Sequence, residues 1–167
     1  MSGQVVVGVD GTEGGWRALA WALRQAAASG GHVLVASVYY DPAAPDREPS
    51  DRAKGARRDA ERHLRTDLAA ALDGFADPPP IETVVVAGGV TAHVLADLAE
   101  YADLLVVGSH GHGVMSSRLI GTVSQGCVGS AVCPVVVVPA RDKGVGPSPV
   151  GAMVGRTEPF SHLPPSP

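Results

Sequence analysis

The sequence predicts an α/β protein with a single domain, built on an open five-stranded parallel sheet with helices on both faces. Three observations support this fold class. The chain has 167 residues, 45% of them hydrophobic, and this length favours one globular domain over two. Short, continuous β-branched runs are typical of strands covered on both faces. These runs alternate with helical patterns in the order βαβαβαβαβ, as in sheets with right-handed crossovers, whose ligands bind beyond the carboxyl ends of the strands at a topological switch point.

The first strand is predicted at Val5–Val9, an apolar run closed by Asp10-Gly11. After Gly14-Gly15, apolar residues recur at three- and four-residue spacing and predict a helix that stops at Ser29–Gly31. The apolar side of this helix is predicted to hold Trp16, Leu19, Ala20, Leu23 and Ala27.

The second strand is predicted at His32–Tyr39, and the three prolines of Asp41–Ser50 indicate an irregular loop. Asp51–Leu72 has the pattern of an amphipathic helix with a charged, solvated face. Its apolar stripe is predicted to be Ala60, Leu64, Leu68 and Leu72. An arginine cluster is interpreted as part of the solvated face: Arg57, Arg58, Arg62 and Arg65.

The third strand is predicted at Ile81–Ala87, after the break at Pro78–Pro80. Thr91 has a side chain suited to capping the helix that follows. The buried side of that helix is predicted to be Val94, Leu95, Leu98 and Ala102.

The last strand–helix–strand unit begins with a fourth strand at Leu104–Val107. A glycine-rich loop, a helix near Thr122–Val132 and a fifth strand at Val135–Val138 follow. A run of four valines on an edge strand would favour self-association, so we expect this strand to be exposed and to pair with a second copy.

Composition limits the partners and the compartment. Thirteen basic and 17 acidic residues give a formal charge of -4, which provides no general attraction to nucleic acid or to an anionic membrane. The two cysteines, Cys127 and Cys133, form neither a disulfide framework nor a zinc motif. No apolar stretch approaches the ~18 residues of a membrane span, and the first ten residues lack the pattern of an export signal. We therefore expect a cytoplasmic protein without nucleic-acid or membrane partners.

The ordered domain is expected to comprise residues 1–140. Residues 141–167 contain six prolines and four glycines and have no sustained periodicity. Such a segment buries too little apolar area to offset its ordering entropy, so we interpret it as a flexible tail.

Two glycine-bearing turns lie between the fourth strand and the following helix. The first leaves the carboxyl end of the strand, and the second opens the helix, where free N–H groups and the helix dipole favour an anion such as phosphate. Thr122 and Ser124 would add hydroxyl donors near the N-cap. The spacing alone leaves open that the glycines serve only tight turns.

Gly108-x2-Gly111-x9-Gly121-Thr122 resembles the nucleotide-binding signature G-x2-G-x9-G-(S/T) of the universal stress protein family. The resemblance covers residues 3–140. It implies a Rossmann-like, adenine nucleotide alpha hydrolase-like fold that is usually dimeric through the last strand, here at Val135, Val136, Val137 and Val138.

The resemblance also implies a site for ATP or a related adenine nucleotide such as AMP or cyclic AMP. Asp10, with Gly8 and Val9, matches the family position near the ribose and phosphates, and Val38 matches the position whose backbone meets the adenine edge. The remaining positions match the ribose and phosphate wall and the phosphate-binding turn: Val107, Gly108, Gly111, Gly121, Thr122, Val123 and Ser124. A Mg²⁺ ion bridging Asp10 and the phosphates is left open.

Several of these residues have a second interpretation. Asp10 could be a turn residue whose carboxylate accepts local backbone N–H groups. His110 could contact a phosphate, but His110 and His112 lack the thiolate or carboxylate neighbours of a metal site. Cys127 lies early in a helix, yet a buried small side chain is the simpler interpretation.

The leading function is an adenine-nucleotide-binding stress or regulatory protein with little or no catalysis. No G-x4-GK-(S/T) motif is present, and Gly8 stands where haloacid-dehalogenase-type phosphatases need a nucleophilic aspartate. Two alternatives are a slow ATP-hydrolysing or adenylyl-transferring enzyme, and a dimeric interaction module in which nucleotide is incidental.

Overall fold

Strands and helices alternate without exception in the computed structural model, which describes residues 3–42, 47–109 and 120–139. The elements are β1 (Gln4–Gly8), α1 (Glu13–Ser29), β2 (His32–Tyr40), α2 (Asp51–Leu72), β3 (Ile81–Gly88), α3 (Thr91–Leu98), β4 (Leu104–Gly108), α4 (Thr122–Ser130) and β5 (Val135–Val138). The predicted flexible tail, residues 141–167, lies outside the described residues.

The sheet has five strands in the order β3-β2-β1-β4-β5, and every pair is parallel. The register places Val6 beside Leu34 of β2 and Leu105 of β4. The chain moves outward from β1 to β3 and then returns to the other side of β1. The switch point therefore lies between β1 and β4, as expected for a doubly wound sheet.

Two apolar layers cover the sheet, one on each face. Val5 and Val7 of β1 pack in the cluster that includes Leu19 and Leu23 of α1 and Leu64 of α2. On the opposite face, the cluster includes Val6, Ala36 and Leu105 from the sheet, Leu95 from α3 and Cys127 from α4. Successive β1 residues thus point to opposite layers and both layers are buried, which confirms the predicted fold class.

The ends of three helices differ from the sequence predictions. Helix α1 begins at Glu13 rather than after the glycine pair, because the Thr12 side chain caps it by accepting a hydrogen bond from the Gly15 N–H. Thr91 does not cap α3, since the N-cap is Val90 and makes no side-chain bond. Helix α3 ends at Leu98, before Ala102, and α4 ends at Ser130, two residues earlier than predicted.

Burial also differs from the predicted stripes at several positions. Trp16 and Ala27 of α1 are exposed, because they lie at the margins of the stripe that faces the sheet. The predicted exposure of the β5 valines is wrong: Val138 is buried, and Val136 and Val137 are half-buried because their side chains pack against the two apolar layers. The charged face of α2 is exposed at all four arginines of the predicted cluster, as expected.

Candidate functional site

A cavity of about 310 Å³ opens at the carboxyl edge of the sheet, at the switch point between β1 and β4. Ten of the eleven sequence-predicted site residues line it: Gly8, Val9, Asp10, Val38, Val107, Gly108, Gly121, Thr122, Val123 and Ser124. Gly111, His110 and His112 lie outside the described residues. The structure therefore brings residues from β1, β2, β4 and α4 together at one place, while their role in binding stays a prediction.

Four lining residues were missed by the sequence reasoning: Gly15, Ala36, Thr91 and Leu95. Thr91 opens α3, and Leu95 follows it by one helical turn. A helix that follows a parallel strand begins at the carboxyl edge of the sheet, so its first turn lies near any ligand bound there. Their positions at helix starts after parallel strands therefore indicate that Thr91 and Gly15 lie near the cavity.

The β1–α1 turn holds Asp10 by local hydrogen bonds. Its Oδ1 accepts from the Thr12 backbone N–H at 3.1 Å and from the Thr12 hydroxyl at 2.5 Å. A Cβ atom on Gly15 would lie 2.7 Å from this same oxygen, so the close approach of α1 requires glycine there. Asp10 thus makes local hydrogen bonds of the kind that the turn interpretation predicts, and it also lines the cavity.

The turn is anchored from outside by α2. Gly11 has φ of +77°, and its N–H donates to Oδ2 of Asp67 at 3.1 Å. Asp67 is only 8% exposed. Burial raises the pKa of this carboxyl, the Gly11 hydrogen bond lowers it, Asp10 raises it and His63 lowers it. The sequence reasoning missed Asp67 because α2 was treated only as a crossover helix.

The other wall is formed by the first turn of α4. Gly121 is the N-cap in an extended conformation, and no side chain caps this helix. The first N–H groups of a helix have no intrahelical acceptor, and together with the helix dipole they attract an anion. The Gly121 N–H itself donates to the Ser109 carbonyl at 2.7 Å, which joins this turn to the end of β4.

The Ser124 hydroxyl acts differently from the sequence expectation. It is 2% exposed and donates to the Gly108 carbonyl at 2.6 Å. This hydrogen bond therefore joins the first turns of α4 to the end of β4. Thr122, by contrast, is exposed and lines the cavity.

Close packing beneath the cavity favours a residue without a side chain at the end of β4. A Cβ atom on Gly108 would lie 2.6 Å from the carbonyl carbon of Gly14, in the first turn of α1. The glycine thus permits the strand end and the helix start to touch. This gives one glycine of the signature a structural role that does not depend on a ligand.

The described residues contain no evident catalytic set. Cys127 is fully buried, and burial raises the pKa of its thiol to about 11, so the interpretation as a buried small side chain is confirmed. No group of three or more potential metal-ligating side chains occurs in residues 3–42, 47–109 and 120–139. Asp10 is the only titratable side chain among the described residues that line the cavity.

An open, doubly wound parallel sheet with a cavity at its switch point defines a Rossmann-like α/β protein. The sequence matches the universal stress protein family over residues 1–139. The chain belongs to this family.

Relatives and solved structures agree with this assignment. A universal stress protein of Thermus aquaticus is 34% identical over 139 residues, covering 80% of this chain and 96% of that protein. One of Mycobacterium tuberculosis is 33% identical over 135 residues, covering 80% of this chain and 43% of that protein. The chain thus spans less than half the length of several curated relatives. The crystal structure of a universal stress protein in complex with cAMP is 28% identical, with a TM-score of 0.54 and coverage of 81% of this chain and 96% of that one.

In the part of the chain that the structure describes, no helix combines the length and apolarity that crossing a membrane requires.

Proposed function

We propose that this protein binds an adenine nucleotide, ATP or a related one, in the switch-point cavity and serves as a cytoplasmic regulatory protein of the stress response with little or no catalysis. The observation that carries the proposal is the convergence of the β1–α1 turn and the uncapped start of α4 on one cavity. Backbone N–H groups and a helix dipole at such a place favour phosphate.

The cavity has different chemistry on its two sides. On the side of β2 and α3, it is lined by Ala36, Val38 and Leu95, which offer an apolar surface to a flat base. Thr91 adds a hydroxyl on that side. On the side of β4 and α4, the first N–H groups of α4 attract an anion. The lining residues there are Val107, Gly108, Gly121, Thr122, Val123 and Ser124. An apolar part followed by a polar, anion-attracting part suits a nucleotide, and the cAMP-bound universal stress protein supports an adenine base.

The same lining argues against fast turnover. Phosphoryl transfer needs cations that neutralise the developing charge and a group that orients the attacking nucleophile. The described lining residues include no lysine, arginine or histidine, and Asp10 supplies the single carboxylate. Mg²⁺ takes few protein oxygens beside phosphate and water, so it would bind at Asp10 only together with the phosphate chain.

A titration with a matched pair of variants tests the proposal. Gly121 has φ of -66° and ψ of 160°, which any residue can adopt, so Gly121→Leu should fold while its side chain intrudes on the cavity. The control, Gly129→Leu, lies on the same helix where a Cβ atom meets open space. Calorimetric titration with ATP, AMP and cyclic AMP should show wild-type affinity for the control and a loss of binding for Gly121→Leu. Unchanged nucleotide affinity in Gly121→Leu would contradict the proposed site in the cavity.

We also propose that the protein forms a homodimer through the free edge of β5, Val135–Val138. Among the described residues, β5 is the last strand of the sheet, and Val132, just before it, is 77% exposed. An unpaired edge beside an exposed apolar side chain favours association. Light scattering should give a dimer mass for wild type and a monomer mass for Val132→Glu. Tyr40→Glu, at a 66% exposed site on β2, which β1 and β4 separate from β5 in the sheet, serves as the control and should remain dimeric. A monomeric wild type would contradict the proposal.

A further inference from the structure

Helix α2 contacts the β1–α1 turn, next to the cavity, through one buried carboxylate. The other buried residues of α2 are Ala53, Ala60, Leu64 and Ala71, and Asp67 lies among them at 8% exposure. Burying a carboxylate is unfavourable unless a hydrogen bond compensates for the lost hydration. The compensating donor is the Gly11 N–H, 56 positions away in sequence.

Gly11 is the residue directly after Asp10, in the turn that lines the cavity. Its φ of +77° is one that residues with side chains rarely adopt, and a glycine loses more conformational freedom on ordering than other residues, so contacts from α2 help to select this shape of the turn. His63 lies one helical turn before Asp67 and packs on Gly11, where a Cβ atom would come within 2.7 Å of the His63 Cγ. Two side chains on one face of α2 therefore hold this single glycine.

We propose that Asp67 is a positioning residue for the cavity: its carboxylate holds the Gly11 N–H, and thereby keeps the Asp10 turn in the shape that accepts the phosphate-bearing part of the ligand. This inference rests on the proposed nucleotide-binding function. A turn that is already in the bound shape spares the ligand the free energy of ordering it, and this raises the apparent affinity.

The charge of Asp67 and its hydrogen bond act in opposite directions. A second carboxylate beside Asp10 repels an anionic ligand, so the charge by itself weakens phosphate binding. The hydrogen bond orders the turn and strengthens binding. The acceptor oxygen, and not the charge, is therefore the feature of Asp67 that serves the cavity.

Two substitutions separate these effects. Asp67→Asn and Asp67→Leu both remove the charge, but only asparagine keeps an acceptor oxygen in place. In calorimetric titrations with ATP and AMP, Asp67→Asn should bind as tightly as wild type or more tightly. Asp67→Leu should bind about tenfold more weakly, the scale of one hydrogen bond to a charged group. Asp59→Leu, at an exposed carboxylate of the same helix, is the control and should bind like wild type.

A merely structural role would give a different result. Gly11 is exposed, so water can satisfy its N–H in Asp67→Leu, and an apolar side chain suits the buried position. We therefore expect weaker binding without a matching fall in the melting temperature. If Asp67 only anchors α2, the melting temperature falls in both variants and the affinity of the folded protein stays constant. If Asp67→Leu does not fold, Asp67→Ala takes its place with the same expectations.

Amide hydrogen exchange without ligand tests the positioning directly. Exchange at Gly11 and Thr12 should be faster in Asp67→Leu than in wild type, and close to wild type in Asp67→Asn. This readout separates the two proposals, since a wild type that binds no adenine nucleotide contradicts the proposed function while exchange still decides whether Asp67 orders the turn. Unchanged exchange in Asp67→Leu, or equal weakening of binding in both variants, would overturn the inference.

Discussion

A carboxylate placed at the start of α4 should stabilise the protein and weaken nucleotide binding at the same time. Thr122 is the first residue of α4, is exposed and lines the cavity. In Thr122→Glu, the new negative charge lies at the positive end of the helix dipole and should stabilise the fold by about 0.3–1 kcal/mol. The same charge would stand where the proposed ligand places its phosphates.

The expected loss of affinity follows from Coulomb repulsion. Two like unit charges about 6 Å apart repel by about 0.7 kcal/mol in a water-like dielectric and by about 2.8 kcal/mol at an effective dielectric constant of 20. The cavity is open to solvent on one side and walled by protein on the other, so the result should fall between these limits. Affinity for a ligand with one phosphate charge nearby should therefore decrease by about 3- to 100-fold.

The assay compares adenosine, AMP and ATP by calorimetric titration at low ionic strength, with chemical denaturation run in parallel. Thr122→Gln is the uncharged control of the same size. Thr122→Glu should leave adenosine affinity close to that of Thr122→Gln, weaken AMP and weaken ATP further, and added salt should reduce the difference. Equal weakening for adenosine and ATP would refute the assignment of the phosphates to α4.

Three further predictions concern stability and reactivity. Gly108→Ala should lower the free energy of unfolding by about 1–3 kcal/mol, because its Cβ would meet the first turn of α1 at 2.6 Å, whereas Gly129→Ala should raise it by about 0.5–1 kcal/mol; denaturant titration measures both. The folded pKa of Asp67 is raised above its ordinary value of 3.8, so its contribution to stability is greatest below that value and is lost as pH rises through the folded pKa. Asp67→Asn should abolish this decline, and melting curves taken across the acid range should show it. With a pKa of about 11, the Cys127 thiol should resist alkylation at pH 8 in the native protein and react only after denaturation, as followed by mass spectrometry.

The fold was predictable because the central strands β1 and β4 are apolar runs with buried middles and the crossover helices α1 and α2 are amphipathic. Those patterns depend on local periodicity, which the sequence displays directly. Helix starts were less predictable, since Thr91 has the side chain of a cap yet lies inside α3. In the structure α3 begins at Thr91, and its Leu95 packs closely against Gly8. A Cβ atom added to Gly8 would lie 2.8 Å from the Leu95 side chain.

Much of the candidate site was predictable from the resemblance to the family signature. Its residues follow strand ends or open a helix, and parallel strands bring those points to one edge. Asp67 is the instructive exception. Ala60 and Leu64 of the predicted α2 stripe are buried as expected, but the buried stripe continues through Asp67 and Ala71. The other two predicted members, Leu68 and Leu72, are only partly buried. A charged residue at helical spacing between apolar ones was the available signal. Its partner, Gly11, could not be inferred, because tertiary packing alone brings α2 to that turn.

The central claim is that the switch-point cavity holds an adenine nucleotide. The most direct measurement is mass spectrometry of the small molecules released when freshly purified, undialysed protein is denatured, with Gly121→Leu processed in parallel. We expect near-stoichiometric adenine nucleotide from wild type and little from the variant. Wild-type protein that releases none, and that also fails to bind ATP, AMP or cyclic AMP in titration, would contradict it.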